Sequence, residues 1–317
     1  MAHLTNPLAT PSQLYNHTSF SSLPADLREV VFITTQCLTQ AAGLLLELPQ
    51  SVTAQANVIL ARYWLIDSPM AHEFSVANSE SPSQDVSAAA LYLVAKVGPM
   101  PRSTRDVSNV YAYLLSPKSS LFRVPREGKP EEDPKAYYQT ESDYFAFQSR
   151  LLALEARILY CLSFNTHVSL PHALAITYLQ TLDFLSQPKS TISHRVTQYL
   201  NTALLSPQML YLTHQPHALA TAAIYNAARD LGAKMPETEW WEVFDVDRED
   251  LGFLVVGMRS VEGILTSRRE EMPWVGEGMT TRTLVEREMQ KRGLQAENGE
   301  TKQLDKEEEA MRMLDSR

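Results

Sequence analysis

Histidine pairs are the first residues in this sequence that could do chemistry, because imidazoles at suitable spacing can hold a zinc ion. His167 and His172 are separated by a proline and do not share a helix face, and His214 and His217 flank Pro216 at a predicted helix start. Neither pair has a cysteine or a carboxylate at ligand spacing. The histidines therefore indicate structural or surface roles, and the sequence predicts no metal site.

An acidic segment, residues 245–250, begins like a calcium-binding loop. Such a loop needs glycine at its sixth position and a carboxylate at its twelfth, but these positions hold Asp250 and Val256. The segment instead predicts the first turn of a helix, where acids are favoured by the helix dipole. Gly276 and Gly278 follow no strand and lack a third glycine, so no phosphate-binding loop is predicted. With no catalytic motif elsewhere, the sequence predicts a protein that is not an enzyme, needs no cofactor and acts through its surfaces.

The composition of the chain limits the classes of binding partner that we expect for it. A formal net charge of −9 argues against nucleic-acid binding, which needs a concentrated basic surface. The apolar runs Ala41–Leu46 and Val86–Val97 fall short of the roughly 20 residues that span a bilayer, and residues 1–23 show no signal-peptide pattern. Cys37 and Cys161 lie in apolar helical stretches, as is typical of reduced core residues. We expect a cytosolic or nuclear protein without direct nucleic-acid, membrane or small-molecule partners.

Apolar periodicity predicts an all-α protein, and the low count of 11 glycines agrees with this. Residues 1–23 are too polar to bury much surface and are predicted to form a disordered arm. Residues 24–186 are predicted to form a first helical domain with an N-terminal helix. A polar linker near Pro188 leads into a second domain over residues 187–268. Residues 269–317 are predicted to be a charged, flexible extension.

Two small-residue helices indicate an internal repeat. Residues 89–96 (AALYLVAK) align with residues 222–229 (AAIYNAAR), and each segment carries one tyrosine and ends on a basic residue. A glycine and then a Met-Pro pair follow each of them. Because small residues let neighbouring helices approach closely, each segment is predicted to lie at the centre of its own five-helix bundle. A chance likeness between two alanine-rich helices is the alternative.

An ordered set of short segments resembles the cyclin family across most of residues 24–268. The set is more specific than any one segment, and it is most similar to the transcription-associated subgroup near cyclin L and cyclin Q. The resemblance implies two tandem cyclin boxes. The segments are LPQ at 48–50 leading into VILARYW at 58–64, the alanine-rich helix 88–96, RDVSNV at 105–110, LEARIL at 154–159, FNTHV at 164–168 with YLQTL at 178–182, and EWWEVF at 239–244.

The resemblance implies a regulatory subunit that binds and activates a cyclin-dependent serine/threonine protein kinase. It further implies a nuclear role in RNA polymerase II transcription or mRNA processing, with other transcription or RNA-processing proteins as additional partners. Carried over residue by residue, it makes Lys96 and Glu155 the kinase-binding pair. No other positions are implied as site residues.

The sequence around Lys96 and Glu155 provides evidence about this pair that does not depend on the resemblance. Lys96 is the only charge in the apolar run around it, and Glu155 lies on an apolar helical stripe. A charge embedded in apolar surface is costly unless a partner meets it. The structural alternative is that Lys96 satisfies carbonyls at the end of its own helix, and that Glu155 pairs with Arg150 or Arg157 nearby.

One departure from the family bears on the strength of kinase binding. Many cyclins follow the lysine with two acids, whereas this chain has Gly98 and Pro99 shortly after Lys96. A cyclin-like scaffold without kinase activation is therefore one alternative. A general transcription factor of the IIB class, which shares the two-box fold, is another. Such a factor should carry a zinc ribbon and a basic second box, which two cysteines and the acidic charge do not support.

Overall fold

The computed structural model of the protein describes residues 5–19, 21, 23–66, 82–116, 119, 137, 139–185, 191–276 and 278–294. These residues form α-helices and two short 3₁₀ helices, Glu242–Phe244 and Pro273–Gly276, and no strand occurs among them. The α-helices are α1 (Pro11–Ser19), α2 (Ala25–Leu45), α3 (Gln50–Ile66), α4 (Pro82–Val97), α5 (Thr104–Leu115), α6 (Glu141–Cys161), α7 (Pro171–Thr181), α8 (Thr191–Ala203), α9 (Leu210–Thr213), α10 (Pro216–Leu231), α11 (Arg248–Glu271) and α12 (Arg282–Lys291).

The first bundle consists of α2 to α6, and α4 is its central helix. Helix α4 packs against the other four, and its residues Ala88, Ala89 and Ala90 are completely buried. Their small side chains let the neighbouring helices approach the α4 backbone closely. The helix ends where the N–H of Gly98 donates to the carbonyl of Val94 at 2.9 Å. The proline that follows Gly98 cannot continue the helical hydrogen-bond ladder.

The second bundle repeats this arrangement around α10. Helices α7, α8 and α11 pack against it, as does the 3₁₀ helix Glu242–Phe244. Ala222, Ala223 and Ala227 of α10 are completely buried. The helix ends at Gly232, whose φ of 64° lies in the left-handed region that suits glycine at a helix C-terminus. The predicted all-α fold, with one alanine-rich helix at the centre of each bundle, is confirmed.

The boundary between the bundles differs from the prediction. Helix α7, which the sequence analysis placed in the first domain, packs against α10 and α8 through Pro171, Ala175 and Leu179. The boundary therefore lies in residues 162–170, and the predicted linker at Pro188 lies outside the described residues. Helical spacing shows that α7 has an apolar face, but it does not show which bundle that face joins.

The prediction of a disordered arm over residues 1–23 is wrong for residues 5–19. Helix α1 packs on α3, and the backbone N–H of Ala9 donates to the carbonyl of Leu212 at 2.7 Å. Asn6 is 5% exposed, its backbone N–H donates to Oε1 of Gln215 in the second bundle, and its Oδ1 accepts from Arg62 in the first. The prediction considered only the apolar area that this segment can bury. It did not include the hydrogen bonds that a buried amide side chain such as Asn6 can make.

The prediction of a flexible extension beyond residue 268 is wrong for the described part of it. Helix α11 continues to Glu271, and Val285 and Met289 of α12 are buried against the core. Arg292 donates to the carboxylate of Asp26 at 2.6 Å. The segment therefore packs against the start of the first bundle. Residues 295–317 lie outside the described residues.

Candidate partner-binding site

The structure brings Lys96 and Glu155 together. Lys96 lies in the last turn of α4, and Glu155 lies in α6, which packs beside α4. Leu151 and Ile158, one turn to either side of Glu155, are buried and fix that face of α6 against the core. The Lys96 Nζ donates to Oε1 of Glu155 at 3.0 Å. The two residues are therefore an ion pair across the contact between the two helices.

The two members of the pair differ in their exposure. The Lys96 side chain is 53% exposed, whereas the Glu155 side chain is only 9% exposed. The hydrogen bond and the charge of Glu155 raise the pKa of Lys96, so the lysine is charged at neutral pH. Its ammonium group also lies 5.6 Å from the centre of the Tyr92 ring. The lysine is thus accessible to a partner, while the carboxylate that orients it is largely shielded from water.

Apolar side chains flank the ion pair on the exposed surface. Val97, which directly follows Lys96, is 76% exposed, and Leu152, one turn before Glu155, is 43% exposed. An exposed apolar rim around a charged centre is a composition common to surfaces that bind proteins. The arrangement can recognise a partner through shape and charge.

A second ion pair joins the same two helices. Arg150 Nε donates to Oδ2 of Asp85, in the first turn of α4, at 2.9 Å. The alternative in which Arg150 pairs with Glu155 is therefore not what the structure shows. Arg150 is thus engaged with Asp85, whereas Glu155 accepts a hydrogen bond from Lys96.

Sequence reasoning missed a charged cluster at the corresponding end of the second bundle. Asp230, next to the aligned position Arg229, accepts hydrogen bonds from Arg195 and from the Tyr199 hydroxyl, each at 2.6 Å. Arg259 donates to its other oxygen at 2.5 Å. Partial desolvation works against the charged form, but these hydrogen bonds lower the pKa of Asp230 to about 2. The four residues come from three helices, so no sequence spacing could have predicted the cluster.

The histidines have partners of other kinds. His172 Nε2 lies 3.0 Å from Oδ1 of Asn201, and the His214 ring stacks on Phe253. Across the described residues, no cluster of three or more histidine, cysteine, aspartate or glutamate side chains could hold a metal ion.

In the same part of the chain, no helix has both the length and the apolar character needed to cross a bilayer.

Solved structures with the same architecture include chains of two complexes. One is a chain of the crystal structure of the yeast RNA Pol II CTD kinase CTDK-1 complex, with a TM-score of 0.61 over 87% of this chain and 86% of that one, at 14% identity. The other is a chain of the CAK complex from Chaetomium thermophilum bound to ATP-gamma-S, with a TM-score of 0.51 over 83% and 78%, at 16% identity. At these identities the likeness shows the fold alone.

Sequence relatives supply the family, although no family model matches the chain. Human cyclin-L1 is 30% identical over 215 residues, which cover 68% of this chain and 36% of that protein. Zebrafish (Danio rerio) cyclin-L1 is 29% identical over 213 residues, covering 67% and 38%. The two tandem helical bundles correspond to the two tandem cyclin boxes that the sequence resemblance implies, and the ion pair lies at the end of the first central helix.

The chain belongs to the cyclin family, near cyclin L. The match spans little more than a third of the length of the curated relatives, 38% of zebrafish cyclin-L1 and 36% of human cyclin-L1. The predicted resemblance is confirmed. The part that Lys96 and Glu155 play in binding remains a prediction.

Proposed function

We infer that this chain is the regulatory subunit of a cyclin-dependent serine/threonine protein kinase, which it binds and activates. The observation that carries the proposal is the half-exposed ion pair of Lys96 and Glu155 with its apolar rim. It lies on the first box of a chain whose relatives are named cyclins. The proposed contact surface consists of Lys96, Glu155, Val97 and Leu152.

The physical chemistry of the pair supports a contact of this kind. An ion pair with one half-exposed member contributes little to folding, typically about 0–1 kcal/mol. In a protein contact, water is excluded and the same charges interact more strongly. Lys96 can then donate to carbonyls at the end of a kinase helix, while Glu155 keeps its ammonium group oriented. The exposed Val97 and Leu152 supply apolar area to be buried in that contact.

Activation follows from differential binding. A protein kinase is active when the glutamate of its regulatory helix pairs with the lysine that contacts ATP. A partner that binds only the arrangement with this helix turned inward shifts the population towards it, by as much as its affinities for the two states differ. The chain itself then carries out no bond chemistry, and its role is to stabilise one kinase conformation.

The likeness to a chain of an RNA polymerase II CTD kinase complex supports a role in transcription. One neighbour belongs to a complex described as an RNA polymerase II CTD kinase. We propose a nuclear location and a place in transcription or mRNA-processing control for this chain. Its direct partner is a protein kinase, and other transcription or RNA-processing proteins are additional partners.

Reconstitution tests this proposal. Purified tagged protein is incubated with nuclear extract, and the kinases that co-purify with it are identified by mass spectrometry. Each kinase is then prepared alone and mixed with the purified chain. We expect phosphotransfer by the mixture to exceed that of the kinase alone by at least about tenfold. A kinase that binds the chain without any gain in activity would establish a scaffold instead. Phosphotransfer by the purified chain alone would contradict the proposal.

A further inference from the structure

A groove on the surface of the second box lies between α8 and α11, next to the end of α10. It has a volume of about 540 Å³, which is within the range typical of ligand sites. Arg195 lines it from α8 and Arg259 lines it from α11. Their side chains are 43% and 38% exposed. The groove therefore presents two cations that a ligand can reach from solvent.

Asp230 holds Arg195 in a fixed orientation. Nε and Nη2 of Arg195 both donate to Oδ2 of Asp230, at 2.8 and 2.6 Å, and Nη1 donates to Oε1 of Gln198 at 3.1 Å. The guanidinium carbon lies 4.8 Å from the centre of the Tyr199 ring, which is itself buried. Because Nη1 and Nη2 each carry two hydrogens, one N–H on each remains available to a ligand.

A buried amide holds Arg259. Its Nε donates to Oδ1 of Asn226 at 2.7 Å, and Nδ2 of Asn226 donates to the carbonyl of Val255 at 3.2 Å. Asn226 is completely buried in α10, whereas the aligned position in the first box holds the apolar Leu93. The two-box fold thus does not require an amide here, and a buried polar group is costly unless it is hydrogen-bonded. The hydrogen bonds of this amide orient the guanidinium of Arg259.

One edge of Arg259 has no partner. Its Nη2 donates to Asp230, but its Nη1 makes no hydrogen bond within the described part of the chain. Asp230 is a single carboxylate and offsets the charge of only one of the two arginines. Glu262 is the other acid in the lining, and it forms no ion pair with either arginine among the described residues. The remaining N–H groups of both arginines are thus available to an anion from outside the chain.

We propose that this groove binds a phosphorylated serine or threonine in a peptide of a partner protein, with the phosphate between Arg195 and Arg259. A dianionic phosphate presents three oxygens, so it can accept from both guanidinium groups at once, whereas a carboxylate has two oxygens and one charge. Arginines already held in place lose little side-chain entropy on binding. The half-exposed Leu231, which also lines the groove, can pack against the neighbouring peptide residue. The net charge of −9 favours a peptide over a nucleic acid.

Peptide libraries with randomised flanks and a fixed central residue test the proposal. The immobilised chain is incubated with libraries centred on phosphoserine, serine or glutamate, and retained peptides are resynthesised with a fluorescent label for anisotropy. We expect the phosphoserine peptide to bind at least about tenfold more tightly than the serine and glutamate forms of the same sequence. Equal binding of the three forms would overturn the proposal, and so would the absence of binding at about 1 mM.

Charge changes at the rim of the groove test where the peptide binds. Gln198→Glu should weaken phosphopeptide binding at least about tenfold, because the new carboxylate pairs with Arg195 and repels the phosphate. Its melting temperature should not fall, because an ion pair replaces a hydrogen bond. Glu262→Gln should strengthen binding about threefold, because it removes an opposing charge from the lining. Gln180→Glu, at an exposed position of α7 outside the groove, is the matched control and should change Kd by less than about twofold.

Unchanged phosphopeptide binding by both Gln198→Glu and Glu262→Gln would refute the assignment of the groove. Competition distinguishes the possible sources of the phosphate. If inorganic phosphate binds as tightly as the phosphopeptide, the groove is a site for the free ion and the peptide assignment is wrong. If a single-stranded oligonucleotide displaces the peptide more effectively than unlabelled peptide does, the ligand is a nucleic acid instead. None of these measurements involves a kinase, so they are separate from the test of the proposed function.

Discussion

The ammonium group of Lys96 lies 3.0 Å from a carboxylate oxygen of Glu155, across the contact between the central and last helices of the first box. The lysine side chain is half exposed and the glutamate side chain is nearly buried. Loss of this pair can therefore affect partner binding, protein stability, or both. Measurements of both quantities on the same variants distinguish the two effects.

Truncation of either residue should weaken kinase binding. Removing one partner of a charged contact that becomes buried in a complex costs about 2–5 kcal/mol, which is roughly 30-fold or more in Kd. We expect Lys96→Ala and Glu155→Ala each to show this loss in titration calorimetry. The melting temperature of Lys96→Ala should stay within a few degrees of the original, because a half-exposed pair contributes little to folding.

The control for this experiment is Arg229→Ala. Arg229 aligns with Lys96 in the repeat but lies on the second box, and its loss should change kinase affinity much less. Equal affinities for all three variants would refute the assignment of Lys96 and Glu155 as a binding pair. A large loss of stability with unchanged affinity would make the pair a purely structural one.

The glycine and proline after α4 can be exchanged for the acids that many cyclins carry. A Cβ at Gly98 would lie 3.0 Å from the backbone oxygen of Val94, so Gly98→Glu forces the helix end to shift. We expect it to lower the free energy of unfolding by about 1 kcal/mol in urea titrations. Pro99→Glu, at an exposed position, should leave stability unchanged and strengthen kinase binding. If Pro99→Glu were less stable than Gly98→Glu, the helix end would not depend on the absence of a side chain at Gly98.

Asn6 should contribute to stability although it lies in the N-terminal segment. Its side chain donates to the carbonyl of Ser169 at 2.8 Å and accepts from the Ser169 N–H at 2.7 Å, and its backbone exchanges two hydrogen bonds with Gln215. Asn6→Ala leaves the buried Ser169 backbone groups unsatisfied, which costs about 1–3 kcal/mol. Urea denaturation should show this loss, and Asn16→Ala on exposed α1 should not. Equal midpoints for the two variants would mean that the segment does not join the boxes.

The Asp230 cluster predicts a pH dependence of stability. The folded-state pKa of Asp230 is about 2, below the ordinary value of 3.8, so its contribution is present above that value and is lost as the pH falls towards 2. The gap in urea midpoint between the original protein and Asp230→Asn should therefore narrow between about pH 4 and pH 2. Glu239→Gln, at an exposed carboxylate, should show no such narrowing. If the difference in urea midpoint between the unsubstituted protein and Asp230→Asn did not change with pH, the ionised carboxylate of Asp230 would not stabilise the fold.

Local sequence determined the helices and the centres of the two bundles. The alanine-rich segments that end at Lys96 and Arg229 are apolar around most of their circumference, and only a central position in a bundle buries such a helix on all sides. That Lys96 and Glu155 together form a kinase-binding site was predicted from the family resemblance, and their ion pair is a finding of the structure. The residues alone also allowed Lys96 to satisfy carbonyls of its own helix and Glu155 to pair with Arg150 or Arg157, because neighbours on one helix can bind the same carboxylate.

Tertiary structure decided which elements meet. The same apolar stripe on α7 would serve either bundle, and only packing assigned it to the second one. Asn6, Arg62 and Ser169 are far apart along the chain, and their hydrogen bonds exist only because the two boxes and the N-terminal segment converge there. Side-chain spacing reports on one helix at a time. Contacts between distant segments depend on how whole helices are placed, so the junction that Asn6 makes with both boxes becomes visible only in the folded protein.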